Sequence, residues 1–177
     1  MRRKNVLALL EGGDRRTIGH ADQVAAMVSK DSALFPELIA GLWSGDPLVR
    51  MRAADATEKV TRGNHELLQA YKKELLGLMA ETREQELRWH LAAMVPRLPL
   101  SDRERQLAVS LLGGYLEDRS SIVKTTALQG LADLANLTDA DPSLRPKVIE
   151  VLREASRNGT PAMKARSRKL PLDLEGR

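Results

Sequence analysis

Cysteine is absent from this chain, so disulfides, thiolate metal sites and cysteine nucleophiles are all excluded. A cysteine-free chain also suits a reducing compartment. Aromatic residues are scarce, two Trp, two Tyr and one Phe in 177 residues, so a core has to be built from Leu, Ala, Val and Met, the side chains of close-set helices. Three histidines at 20, 65 and 90 are too few and too scattered for a histidine metal centre, and no metal or other cofactor is expected. No run approaches the ~18 apolar residues of a membrane span. The basic start Arg2-Arg3-Lys4 is followed by an apolar run only from Val6 to Leu10, shorter than the roughly 7–15 residues of a secretory signal. A cytoplasmic protein without membrane association is the expectation. Nor does any stretch alternate with period two convincingly, so no sheet is expected. Motifs of phosphate loops, dinucleotide turns, zinc proteases and serine hydrolases are all missing, and the 24 carboxylates have no grouping beyond that of a solvated face; no catalytic residue is assigned.

What the chain does have is a recurring stripe. A small or apolar residue stands at a first position and again four, seven and eleven residues later, one face of a 3.6-residue helix. The copies are Thr17, Ala21, Val24, Val28; Val49, Ala53, Ala56, Val60; Leu87, Leu91, Met94, Leu98; Val123, Ala127, Gly130, Leu134; and Met163, Ser167, Leu170, Leu174. First positions 17, 49, 87, 123 and 163 are 32, 38, 36 and 40 residues apart, the period of a helical repeat array.

Punctuation divides the chain into about ten short helices. Gly12-Gly13-Asp14 separates a short first helix from one over about 15–30, and Phe35-Pro36-Glu37 opens a third. Ser44-Gly45-Asp46-Pro47 stops that helix and caps the next. Asn64 precedes 65–80, Thr82 caps 83–95, and Pro96 and Pro99 end that run, so Leu98 falls beyond the helical pattern. Ser101 with Glu104 forms a capping box for 102–116. Ser120 or Ser121 begins a helix to Asn136, Asp141-Pro142 opens the next, and Asn158-Gly159-Thr160-Pro161 turns into the last. The intervening helices carry their own stripes, Leu67, Leu68, Tyr71, Leu75, Met79 and Leu107, Leu111, Leu112, Tyr115. The predicted class is all-α, with helical hairpins at about 4–30, 34–62, 65–97, 102–136 and 143–170.

Asp46-Pro47-Leu48-Val49-Arg50, followed by Ala53-Ala54-Asp55-Ala56, resembles the second helix of a HEAT repeat, and Asp118 to Leu134 is similar, with Lys124 in the place of the arginine. The resemblance extends over nearly the whole chain. It implies one HEAT-repeat domain over 1–177, a right-handed, armadillo-like α-solenoid of about five stacked hairpins. It also implies a structural ladder in which turn acids pair with helix bases, drawn here from Asp46, Arg50, Glu84, Arg88 and Lys124; an anion-binding stripe along Arg50, Arg88, Lys124 and Lys164 is the alternative.

In such solenoids the inner helices line a concave binding face. The column expected there is His20, Arg52, His90, Thr126 and Arg166, beside Gln23, Asp55, Ala93, Gln129 and Lys169. Arg52, Asp55, Trp89, His90, Gln129 and Arg166 are the candidate contact residues; the same polar columns also suit a merely solvated face. Trp89 and Trp43 are read as junction packing, with a contact hot spot as the alternative. The expected function is a non-enzymatic scaffold binding a protein or peptide. A net charge of +4 and a pI near 9.6 leave nucleic-acid binding as an alternative, with Arg50, Arg52, Arg88, His90, Lys124 and Arg166 on phosphates. HEAT-like alkylpurine DNA glycosylases, with Asp55 as the acid, and bilin lyases are further resemblance-based alternatives.

Overall fold

A computed structural model describes residues 5–136 and 142–170. Arg2, Arg3, Lys4, Asp141 and Leu174 lie outside them. The described residues form nine α-helices and short 3-10 turns, with no strand among them, so the chain is all-α. It divides into two compact units, Met1–Lys72 and Lys73–Arg177.

The first unit is built around α3 (Pro47–Gly63). Its start is set by Asp46, whose Oδ1 accepts the Leu48 N–H at 2.8 Å, with Pro47 at the first turn where a missing N–H costs nothing. Val49, Ala53, Ala56 and Val60 are all buried, and α1 (Ala21–Lys30) packs on this helix with Ala21, Val24 and Val28 fully buried. Helix α2 (Phe35–Ala40) and the 3-10 turns Leu7–Leu10, Gly41–Trp43 and His65–Tyr71 complete the layer around α3. Phe35 and Tyr71 meet edge to face at 5.9 Å.

The helix expected from residue 15 begins only at Ala21, and Thr17, the first stripe position, is exposed. Arg52, 35 residues away, is the reason. Its guanidinium is fully enclosed, donating to the carbonyls of Leu10 (2.8 Å), Gly12 (2.6 Å), Asp14 (3.1 Å) and Thr17 (3.4 Å). In a helix those carbonyls would be turned along the axis to their own i+4 amides. Here the chain curls so that they converge. Gly19 sits in this curl at φ +52°, and a Cβ there would lie 2.8 Å from the Arg52 guanidinium carbon.

The second unit holds α4 (Lys72–Glu81, from Lys73 on), α5 (Gln85–Met94), α6 (Asp102–Tyr115), α7 (Ser121–Asn136), α8 (Leu144–Asn158) and α9 (Pro161–Lys169). Helix α7 is its centre, packed against α5, α6, α8 and α9. Leu87, Leu91, Met94, Val123, Ala127, Gly130, Leu134, Met163, Ser167 and Leu170 are all buried. Leu98 follows the 3-10 turn Val95–Arg97 in extended conformation, yet the chain returns it to the core at 4% exposure. Leu107, expected in an apolar stripe, is instead 47% exposed. The capping box forms: the Ser101 N–H donates to Glu104 Oε2 at 2.8 Å and the Glu104 N–H to Ser101 Oγ at 3.4 Å. The helix expected from 83 starts at Gln85, because the Thr82 hydroxyl takes the Glu84 N–H and holds Glu84 extended.

Candidate functional site

A helix turns about 100° per residue, so positions three, six and ten after the start of each stripe lie roughly a quarter-turn from the buried face. Within each unit they flank the core as a polar face, and the three positions fare differently.

The first of them is mostly withdrawn from solvent. Arg52, expected on an open surface, is 2% exposed inside its ring of carbonyls, and His90 is 8% exposed with its ring edge-on to Trp89 at 5.1 Å. Both are corrections to the expected column, and the physical reason for Arg52 is the 10–17 loop folded over it. Thr126 is half-buried and returns its hydroxyl to the Ile122 carbonyl at 2.8 Å. His20 and Arg166 are exposed.

Most of the connected polar groups stand at the other two positions. In the first unit, Lys59 of α3 donates to Asp55 one turn before it (2.7 Å) and to Asp22 on α1. Burial would lower the lysine pKa, but the hydrogen bonds and charges of the two aspartates outweigh it and raise it, so the ammonium stays charged. In the second unit, Gln129 of α7 uses both ends of its amide: Nε2 donates to Asp133 Oδ1 at 2.8 Å, and Oε1 accepts from Arg166 of α9 at 3.4 Å. Asp133 is exposed as a residue, yet enough protein surrounds its carboxyl that desolvation raises its pKa, against the Gln129 bond and the charge of Arg97. Arg97, Asp133, Gln129 and Arg166 thus form one array drawn from the turn after α5, from α7 and from α9.

Asp55, Gln129 and Arg166 were legible as candidates; Lys59, Arg97 and Asp133 were not. The signal was available, since each stands four residues after Asp55, Ala93 or Gln129, the spacing at which helix side chains meet.

The expected ladder residues lie at the turns. Asp46 caps α3, and Arg50 donates to the Ser44 and Gly45 carbonyls at 2.6 and 3.2 Å. Glu84 precedes α5, its N–H held by Thr82. Arg88 bonds the Thr82 carbonyl at 3.0 Å, pairs with Asp118 and lies over the Tyr115 ring at 5.1 Å. Burial alone would raise the Asp118 carboxyl, but the Ser120 N–H and the Arg88 guanidinium pull its pKa down. Lys124 is half-buried, with no side-chain bond or ion pair among the described residues. Trp89 is half-buried with its indole N–H shielded from solvent, and Trp43, for which junction packing was expected, is 45% exposed.

Alternating guanidinium, amide and carboxylate groups can exchange hydrogen bonds with polar groups of a partner. Among the described residues no cluster of three or more His, Asp or Glu could hold a metal ion.

The array has a cost that can be measured. A raised carboxyl pKa means the folded state disfavours ionised Asp133, a destabilisation present above the folded pKa and relieved as pH falls below the unfolded value of about 3.9. Asp133→Asn, which can still accept from Gln129, is expected to raise the melting temperature at pH 7 and to lose that advantage below pH 4. Thermal melts across pH check it; an advantage that persists at pH 3 contradicts it.

Compared with known proteins, the chain matches no family model and no curated protein sequence.

Proposed function

We propose that this chain is a non-enzymatic, HEAT-like scaffold, a right-handed α-solenoid of about five hairpins, whose polar face binds a protein or peptide. The observation that carries the reading is the hydrogen-bonded polar array beside the buried stripe. It is present in each unit, at Asp22, Asp55 and Lys59 and at Asp133, Gln129 and Arg166, with the charge of Arg97 acting on Asp133. Repeated presentation of equivalent side chains along a row of helices is how repeat proteins make extended binding surfaces. Pre-bonded side chains on helices lose less entropy when a partner arrives than free ones would. A cytoplasmic location follows from the reading as part of the proposal.

Capture from source-cell extract tests it. Arg97→Glu with Arg166→Glu is expected to remove the retained protein set, judged by mass spectrometry, while the helical circular dichroism is kept. Arg103→Glu with Lys147→Glu, exposed on α6 and α8, is expected to leave that set intact. An unchanged set with the first pair overturns the reading. Binding of duplex DNA that weakens steeply with salt and is lost with the first pair would assign the face to nucleic acid instead.

A further inference from the structure

The internal repeat exposes a slot that is filled at one junction and open at the next. At the first, Arg88 stands one residue after the stripe start Leu87. It pairs with Asp118, five residues before the next start, and lies over Tyr115, eight before it. The Tyr115 hydroxyl donates to the Met79 carbonyl at 2.7 Å, so ring, cation and acid fill this slot, with Tyr115 buried. One repeat on, the same three positions read Lys124, Ala155 and Asn158. The aromatic ring has become a methyl group and the acid an amide, and Asn158 turns its nitrogen to Glu154 at 2.7 Å. Lys124 is left without a partner among the described residues. A cleft of about 620 Å³ stands there, within the ~300–1,000 Å³ of pockets that take small ligands.

The floor of the cleft is apolar, made by Leu116, Val151, Ala155 and Met163. Its rim carries Glu117, Glu150 and Glu154 against the single ammonium of Lys124. Two of the carboxylates already hold a guanidinium: Arg157 donates to Glu150 at 3.1 Å and Glu154 at 3.4 Å, all three side chains well exposed. Exposed pairs of this kind are weak, so an incoming cation can share or displace them.

We infer that this cleft takes a segment of a partner protein that inserts an aromatic side chain flanked by arginine or lysine. The ring occupies the place that Tyr115 fills one repeat earlier, with Lys124 over its face as Arg88 lies over Tyr115. The basic flank meets the rim, whose excess of carboxylates selects against an acidic one. This surface is separate from the polar face, and either can fail without the other.

The test is a titration of the full chain with a capped peptide carrying Arg-Tyr-Arg between glycines. The parent peptide is expected to bind at least about tenfold tighter than versions with Ala for Tyr or Glu for both Arg, the scale of losing a hot-spot contact. Ala155→Tyr, which fills the slot from within, is expected to cost a similar factor with circular dichroism unchanged. Should that variant not fold, Glu150→Gln with Glu154→Gln decides, with weaker binding and a shallower salt dependence expected. Equal binding of the Tyr and Ala peptides, tighter binding of the Glu version, or unchanged affinity in the variants overturns the inference.

Discussion

Replacing Arg52 by Met is expected to destabilise the chain by about 3–4 kcal/mol and to open the segment from residue 11 to 20. The stem of the side chain is kept, so packing changes little. What is lost is a charged donor set serving five carbonyls, of Leu10, Glu11, Gly12, Asp14 and Thr17. Hydrogen bonds to a charged group contribute roughly 1.5–3 kcal/mol each, and carbonyls left buried without partners cost about 1–3. Their sum exceeds the expected loss because the loop can release and rehydrate its carbonyls, which limits the damage to undocking. Amide hydrogen exchange should therefore rise over 11–20 first, while α7 stays protected. Arg52→Lys is expected to fall between: an ammonium has three donors at one point and cannot span carbonyls that the planar guanidinium reaches on separate sides. Arg52→Met with unchanged stability and unchanged exchange in the loop would mean the carbonyl ring contributes nothing.

Gly130→Ala is expected to cost about 2 kcal/mol, the usual scale of overpacking. Alanine normally favours a helix interior over glycine by roughly 1 kcal/mol, so the sign here is opposite to propensity. A Cβ at this site would come 2.7 Å from the Ala92 carbonyl oxygen on α5, and backbone cannot step aside as a flexible side chain can. Gly113→Ala in α6 is the matched comparison, since a Cβ there meets nothing within 4 Å; it should stabilise by about 0.5–1 kcal/mol. Denaturant unfolding of both variants separates the two effects. The same sign for both would remove the argument that α5 and α7 are held at glycine distance.

The buried stripe was legible in the sequence because burial on a helix follows period alone. Val49, Ala53, Ala56 and Val60 needed no knowledge of their neighbours, and neither did the caps at Asp46 and Ser101, whose bonds reach only two or three residues along the chain. Legibility ended where distant residues decide. Residues 15–20 have an acceptable helical pattern, and it is the distant Arg52, which draws in the Thr17 carbonyl with those of the loop before it, together with the left-handed turn at Gly19, that keeps them out of α1. The same contact removes Arg52 from the surface, so its place on the polar face could not be read from helix geometry. Lys59 and Asp133 were overlooked for a different reason. Two columns per helix, three and six residues after each stripe start, leave out the residue one turn beyond the second, and it is that pairing, Asp55 with Lys59 and Gln129 with Asp133, that organises each array. Trp43 shows the limit of composition: a rare aromatic at a helix end invites a core role, and the fold leaves it 45% exposed.

Whether the polar face binds a protein is tested most directly by a photo-reactive benzoylphenylalanine placed beside the array without breaking it, at Gln23 or Lys169, both exposed. Irradiation in source cells is expected to give discrete, heavier adducts from each of these positions and none from the same residue at Arg103 on α6. Identical adducts from Arg103, or no adduct from either face position, would contradict the account.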